Sequence, residues 1–234
     1  MASQSEKTFG SRLYNAEQLS TNVATFTGYV ALTPETTVAA YNTLINEVGQ
    51  NNTLIATLQS PFSLAVAARQ NLFEKDPTSL ARTLSPIAAF VKAKFGKTSK
   101  QAADITNLVN KIRGEKTAEL KKDEEGEFVS QSHRSFGSQT QFLADIIATL
   151  TSYGTDYAPT NPNITLEQLS TLLDSLTAVN TAVTTAYGQL KPVKDVRKLQ
   201  YEDLSKRSQT IKETVKSQYG VQSTEYKLIK GFKI

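Results

Sequence analysis

Residues 43–57 read TLINEVGQNNTLIAT, and residues 171–185 read TLLDSLTAVNTAVTT. Aligned, they coincide at Thr43/Thr171, Leu44/Leu172, Asn52/Asn180, Thr53/Thr181 and Thr57/Thr185, an offset of 128 residues. The same offset pairs Tyr29 with Tyr157, Pro34 with Pro162, Arg69 with Arg197, Phe73 with Tyr201 and Glu74 with Glu202. Upstream, Phe9-Gly10-Ser11 recurs as Phe136-Gly137-Ser138. Downstream, VKAKFGKTS (91–99) recurs as VKSQYGVQS (215–223) at an offset of 124. The four residues lost fall at KDPTS around Pro77, where a loop absorbs a change of length. One such match between two Thr- and Ala-rich helices arises by chance. Four in the same order with compatible offsets read as a tandem duplication.

Outward from this repeat, the chain divides into a disordered N-terminus (1–8), a first copy (9–112), a charged linker (113–135) and a second copy with a basic C-terminal region (136–234). The linker is rich in charge and nearly devoid of large apolar residues, which reads as exposed chain.

Within each copy the apolar spacing is helical. Leu143, Ile146, Ile147, Leu150 and Tyr153 share a face, opened by Ser138 and Gln141 as a capping box; Leu19, Val23 and Phe26 are the looser equivalents. A second helix starts at Thr165, with Gln168 at the third position and Ile164 placed to pack on Leu169. Its stripe, Leu166, Leu169, Leu173, Leu176, Val183, Tyr187 and Leu190, has heptad spacing. In the first copy Thr33 and Pro34 take the cap and first-turn positions, and Val38, Tyr41, Ile45, Val48 and Ile55 the stripe. A third helix runs to Phe95 or Tyr219, stops at Gly96 or Gly220, and turns into a short fourth helix capped by Ser99 or Ser223. Residues 226–234 read equally as a short strand, a frayed helix or a docking tail. The expected fold is therefore all-α, a tandem duplication of an up-down helical-bundle module with about three long helices and one short helix per copy.

Chemistry is harder to find. The chain of 234 residues has no Cys and one His, His133, so thiolate chemistry is excluded and a His-based metal site lacks a second ligand. The acids Asp123, Glu124, Glu125 and Glu127 lack the ligand spacing of a calcium loop. Gly-x-Ser-x-Gly, Walker A and dinucleotide fingerprints are missing, so neither enzymatic activity nor a cofactor is expected. No run of 18 apolar residues occurs and the N-terminus has no signal-peptide core, which predicts a cytoplasmic protein without a membrane span.

Asn52 and Asn180 interrupt the apolar stripe of the second helix and are expected to set register or to meet a partner. Arg69 and Arg197 are matched charges that serve either as partner contacts or as links between helices. Between Leu190 and Ile234, 11 Lys or Arg face 5 acids, although the whole chain carries only +4. Arg197, Lys198, Lys206 and Arg207 are accordingly candidate polyanion contacts. The expected function is a non-catalytic structural or protein-interaction protein that self-associates or binds a protein partner in an oligomeric assembly. The alternatives are a nucleic-acid binder acting through the basic C-terminal region, or a small-ligand carrier or enzyme with an inter-helix pocket.

Overall fold

The computed structural model describes residues 8–114 and 135–234. Among these the chain is all-α, without strands: α1 (Phe9–Ala24), α2 (Val38–Gln70), α3 (Leu80–Phe95), α4 (Lys100–Arg113), α5 (Phe136–Ser152), α6 (Leu166–Tyr219) and α7 (Thr224–Ile229). The charged linker between residues 115 and 134, with His133 and the acidic run Asp123, Glu124, Glu125 and Glu127, lies outside the described residues. So do residues 1–7.

Hydroxyl residues start the helices. The side chains of Thr8 and Ser135 accept from the backbone N–H of Ser11 (3.2 Å) and Ser138 (3.0 Å), so α5 opens three residues before the expected capping box and Ser138 is a donor to the cap. Thr165 caps α6 as expected, accepting from Gln168 N–H at 3.2 Å. Thr33 and Pro34 instead start a 3₁₀ turn, Pro34–Thr36, and Thr37 caps α2 by accepting from Ala40 N–H. Proline's fixed φ suits any first turn, so its presence does not tell a 3₁₀ turn from an α-helix.

Helix ends follow the glycines. α3 and α6 stop at Gly96 (φ 95°) and Gly220 (φ 90°), after which Ser99 and Ser223 cap α4 and α7. α7 settles the conformation of the last residues as one helical turn and a half followed by a short tail. The expected count of helices per copy needs correction. α4 has 14 residues and is no short appendage. The second and third helices of the second copy are fused into α6, 54 residues long. Between α2 and α3 the chain instead passes through a π-helical turn, Asn71–Lys75, and the Pro77 loop. Residues 190–200 contain no such loop, and α6 runs on through Pro192, whose missing N–H costs one backbone hydrogen bond.

Two compact units result. Unit 1 is built from the described part of Met1–Ser60 with Gly188–Ile234, and unit 2 from the described part of Pro61–Tyr187. Unit 1 thus holds α1, residues 38–60 of α2, residues 188–219 of α6, and α7. Its core joins Leu19, Tyr41, Val48, Tyr201, Leu204, Val215 and Ile229. Unit 2 holds residues 61–70 of α2, then α3, α4, α5 and residues 166–187 of α6, around Phe73, Leu84, Ile87, Ile105, Ile146, Leu169 and Leu176. On α6, Leu172 is buried where the stripe had Leu173, and Tyr187 points outward at 49% exposure. A 3.6-residue helix drifts off a strict heptad over 54 residues.

Candidate functional site

The matched charges and amides form two polar joints, one per unit. In unit 1, Arg197 on α6 lays its guanidinium 4.1 Å over the ring of Phe9, and Phe9 packs on Tyr201 with ring centroids 4.8 Å apart. The Tyr201 hydroxyl donates to the Phe9 carbonyl (2.6 Å) and accepts from Asn52 Nδ2 (2.8 Å). Burial pushes the Tyr201 phenol up, which keeps it a neutral donor. Arg12 closes the joint, its Nη2 donating to the Tyr201 carbonyl at 3.1 Å.

Unit 2 repeats the arrangement with other residues. Arg69 lies 4.1 Å over the ring of Phe136, and Phe136 meets Phe73 edge-on at 4.8 Å. Phe73 has no hydroxyl, so Asn180 Nδ2 turns to Thr140 Oγ1 at 3.2 Å. In both joints the asparagine is left with a buried Oδ1 that has no partner among the described residues, and Arg69 Nε shares that condition. A further pair of identical contacts ties the loops before the second helices. Tyr29 donates to the Thr36 carbonyl (3.0 Å) and Tyr157 to the Ile164 carbonyl (2.6 Å).

Asn180 borders an open groove of about 590 Å³ between α5 and α6, together with Thr140, Gln141, Asp174, Thr177 and Thr181. Thr177 and Thr181 donate their hydroxyl protons to the carbonyls of Leu173 and Thr177, so toward the groove these hydroxyls only accept. No lysine or arginine lines it.

The four candidate polyanion contacts do not form one surface. At about 100° per residue, Arg197, Lys198, Lys206 and Arg207 sit near 0°, 100°, 180° and 280° around α6. Arg197 covers Phe9, and Arg207 pairs with Asp203 (2.7 Å) and donates to the Glu35 carbonyl (3.3 Å). Lys198 and Lys206 are exposed on different sides of the helix. Elsewhere in the basic region Lys212 is half-buried, donates to the Phe232 carbonyl, and has its pKa lowered by that burial.

Two further buried polar contacts in unit 1 escaped the sequence reading. Asn51, next to the matched Asn52, is the more buried of the two and donates to Gln200 Oε1 (2.9 Å) and the Val193 carbonyl (3.3 Å). Tyr41 and Ser208 share a buried hydrogen bond of 2.5 Å. A heptad count one residue off hides the first, and no local signal marks the second. Among the described residues no group of three or more His, Asp or Glu side chains gathers as metal ligands. Among the described residues no helix is long and apolar enough to cross a membrane. Comparison of the chain with protein families, with curated proteins and with solved structures finds no match.

Proposed function

We propose that the chain is a non-catalytic helical interaction scaffold, made by duplication of one module whose two copies have exchanged halves. In this reading each compact unit takes the first helix and a half from one copy and the remainder from the other. Unit 1 combines α1 and residues 38–60 with residues 188–234; unit 2 combines α5 and residues 166–187 with residues 61–113. The carrying observation is that matched residues make matched contacts. Arg197 on Phe9 and Arg69 on Phe136 stack at the same 4.1 Å, each bridging a residue of one copy to a residue of the other. The repeated polar residues therefore serve to join copies, and this supports a structural role over a chemical one.

The functional part of the proposal, self-association or a protein partner, is tested by light scattering on the purified chain together with partner capture. Oligomers or a stoichiometric complex support it, and a monomer at all concentrations that captures nothing contradicts it. A second reading, a small-ligand carrier, is favoured by the acceptor-rich groove beside Asn180. Native mass spectrometry that finds a co-purified small molecule, lost in Asp174→Asn, would replace the scaffold reading with that one. The nucleic-acid alternative draws no support from four basic residues spread around the helix.

A further inference from the structure

Seven large apolar side chains among the described residues are more than half exposed, and four of them lie at one end of unit 1: Val30 (64%), Leu32 (68%), Val221 (56%) and Leu228 (53%). This end is where the loop between α1 and α2 meets the corner between α6 and α7. Gln218 holds the loop as a strand neighbour would, its Nε2 donating to the Val30 carbonyl (2.5 Å) and its Oε1 accepting from Val30 N–H (3.2 Å). Tyr219 donates to the Thr27 carbonyl at 3.0 Å and packs edge-on against Phe26. Val30 and Leu32 are thus presented to solvent by a pinned backbone, with Ala31 half-buried between them.

The other copy serves as an internal control, a step that rests on the duplication reading. At the offsets of 128 and 124, Val30, Leu32, Val221 and Leu228 correspond to Ala158, Thr160, Lys97 and Asp104. The fold therefore has no need of large apolar groups at these places. Lys227 and Lys230, both exposed, stand where the other copy has Ala103 and Thr106. Large aliphatic side chains thus stand at this end only, beside the exposed Lys227 and Lys230, whereas the corner of the other copy has lysines, Lys97 and Lys100, without such aliphatic neighbours. From residue 220 onward three lysines face one glutamate.

We infer that this end of unit 1 docks on an anionic membrane surface, with Val30, Leu32, Val221 and Leu228 entering the interfacial layer and Lys227 and Lys230 meeting lipid phosphates. Apolar area and basic charge act together in such binding. Single-stranded nucleic acid is held by cations on its phosphates and aromatic rings stacked on its bases, and the exposed groups at this end are aliphatic. The chain would lie on the bilayer, consistent with helices too short of apolar residues to span it.

The test is co-sedimentation of the full chain with vesicles of phosphatidylcholine alone or mixed with phosphatidylserine. The expected result is pelleting with the mixed vesicles only, reversed by salt. Leu32→Thr with Leu228→Asp, which installs the residues of the other copy, and Lys227→Ala with Lys230→Thr should each weaken binding by at least about tenfold. Circular dichroism melts separate the two layers of the argument. A lowered Tm in the first variant counts against the correspondence between copies, and docking is then judged from the second, which changes charge alone. Absence of pelleting by the wild type, or pelleting unchanged in both variants, overturns the inference. So does a wild type that ignores vesicles but forms a dimer that Leu32→Thr abolishes, since this face would then be a contact between copies.

Discussion

Asn180 shows how one residue carries opposing effects. Its Nδ2 gains one neutral hydrogen bond to Thr140 at 3.2 Å, while its Oδ1 is buried without a partner. A hydrogen bond of this kind contributes about 1 kcal/mol, and a buried orphan acceptor costs about 1–3 kcal/mol. Asn180→Leu should therefore stabilise the chain by about 1 kcal/mol, raising Tm by about 2–4 °C; a lowered Tm would show that Oδ1 is satisfied in solution. Tyr201→Phe reproduces the residue of the other joint but has the opposite sign. It leaves Asn52 Nδ2 without its acceptor and removes the second bond to the Phe9 carbonyl, at a cost of about 1–3 kcal/mol read from chemical denaturation. No loss would mean that the hydroxyl is dispensable, as it is at Phe73. That Asn52 and Asn180 differ from their stripe was legible from spacing alone. Which atom of each would be paired was not, because the partners Tyr201 and Thr140 lie 149 and 40 residues away.

At the scale of elements, local chemistry was legible at the two helix corners where a backbone conformation demands one residue type. Gly96 and Gly220 take φ of 95° and 90°, and the serines three residues later cap the next helix. Continuity was not legible. Nothing in the second copy forbids a helix across residues 190–200, since Pro192 bends or weakens a helix without ending it, and only the absence of a Pro77-like loop tells α6 from α2 and α3. The difference between two glycines follows. A Cβ at either Gly188 or Gly220 meets no atom within 4 Å, so only the backbone decides. Gly220→Ala, at φ of 90°, should destabilise by about 1–2 kcal/mol. Gly188→Ala, inside α6, should stabilise by up to about 1 kcal/mol. Equal Tm shifts in the two variants would contradict the corner geometry.

For the whole molecule, all-α character could be read from the chain, but not the partition into units. Periodicity reports which face of a helix is buried and is silent on which distant segment covers it, so the split of α2 after Ser60 and of α6 after Tyr187 was not read, although Pro61 and Gly188 stand at the two places. The units do share a response to alkali. Burial raises the phenols of Tyr41 in unit 1 and Tyr157 in unit 2 to about 12. Their ordinary value is 10.0, so the unfolded chain ionises first. The stability these groups contribute is full below about pH 10 and is lost as the pH rises toward 12. Denaturation midpoints should therefore fall steeply over that interval; a midpoint flat to pH 12 would place both phenols in water.

The proposed exchange of halves between copies is tested most directly by cutting the chain once between residues 115 and 134, at an inserted protease site, without denaturant. Each unit draws on chain from both sides of that cut. The two fragments are then expected to elute together as one helical species near the 25.6 kDa of the intact chain, separating only when unfolded. Two fragments that separate under native conditions, each retaining its share of the helical signal and melting cooperatively by itself, would contradict the account.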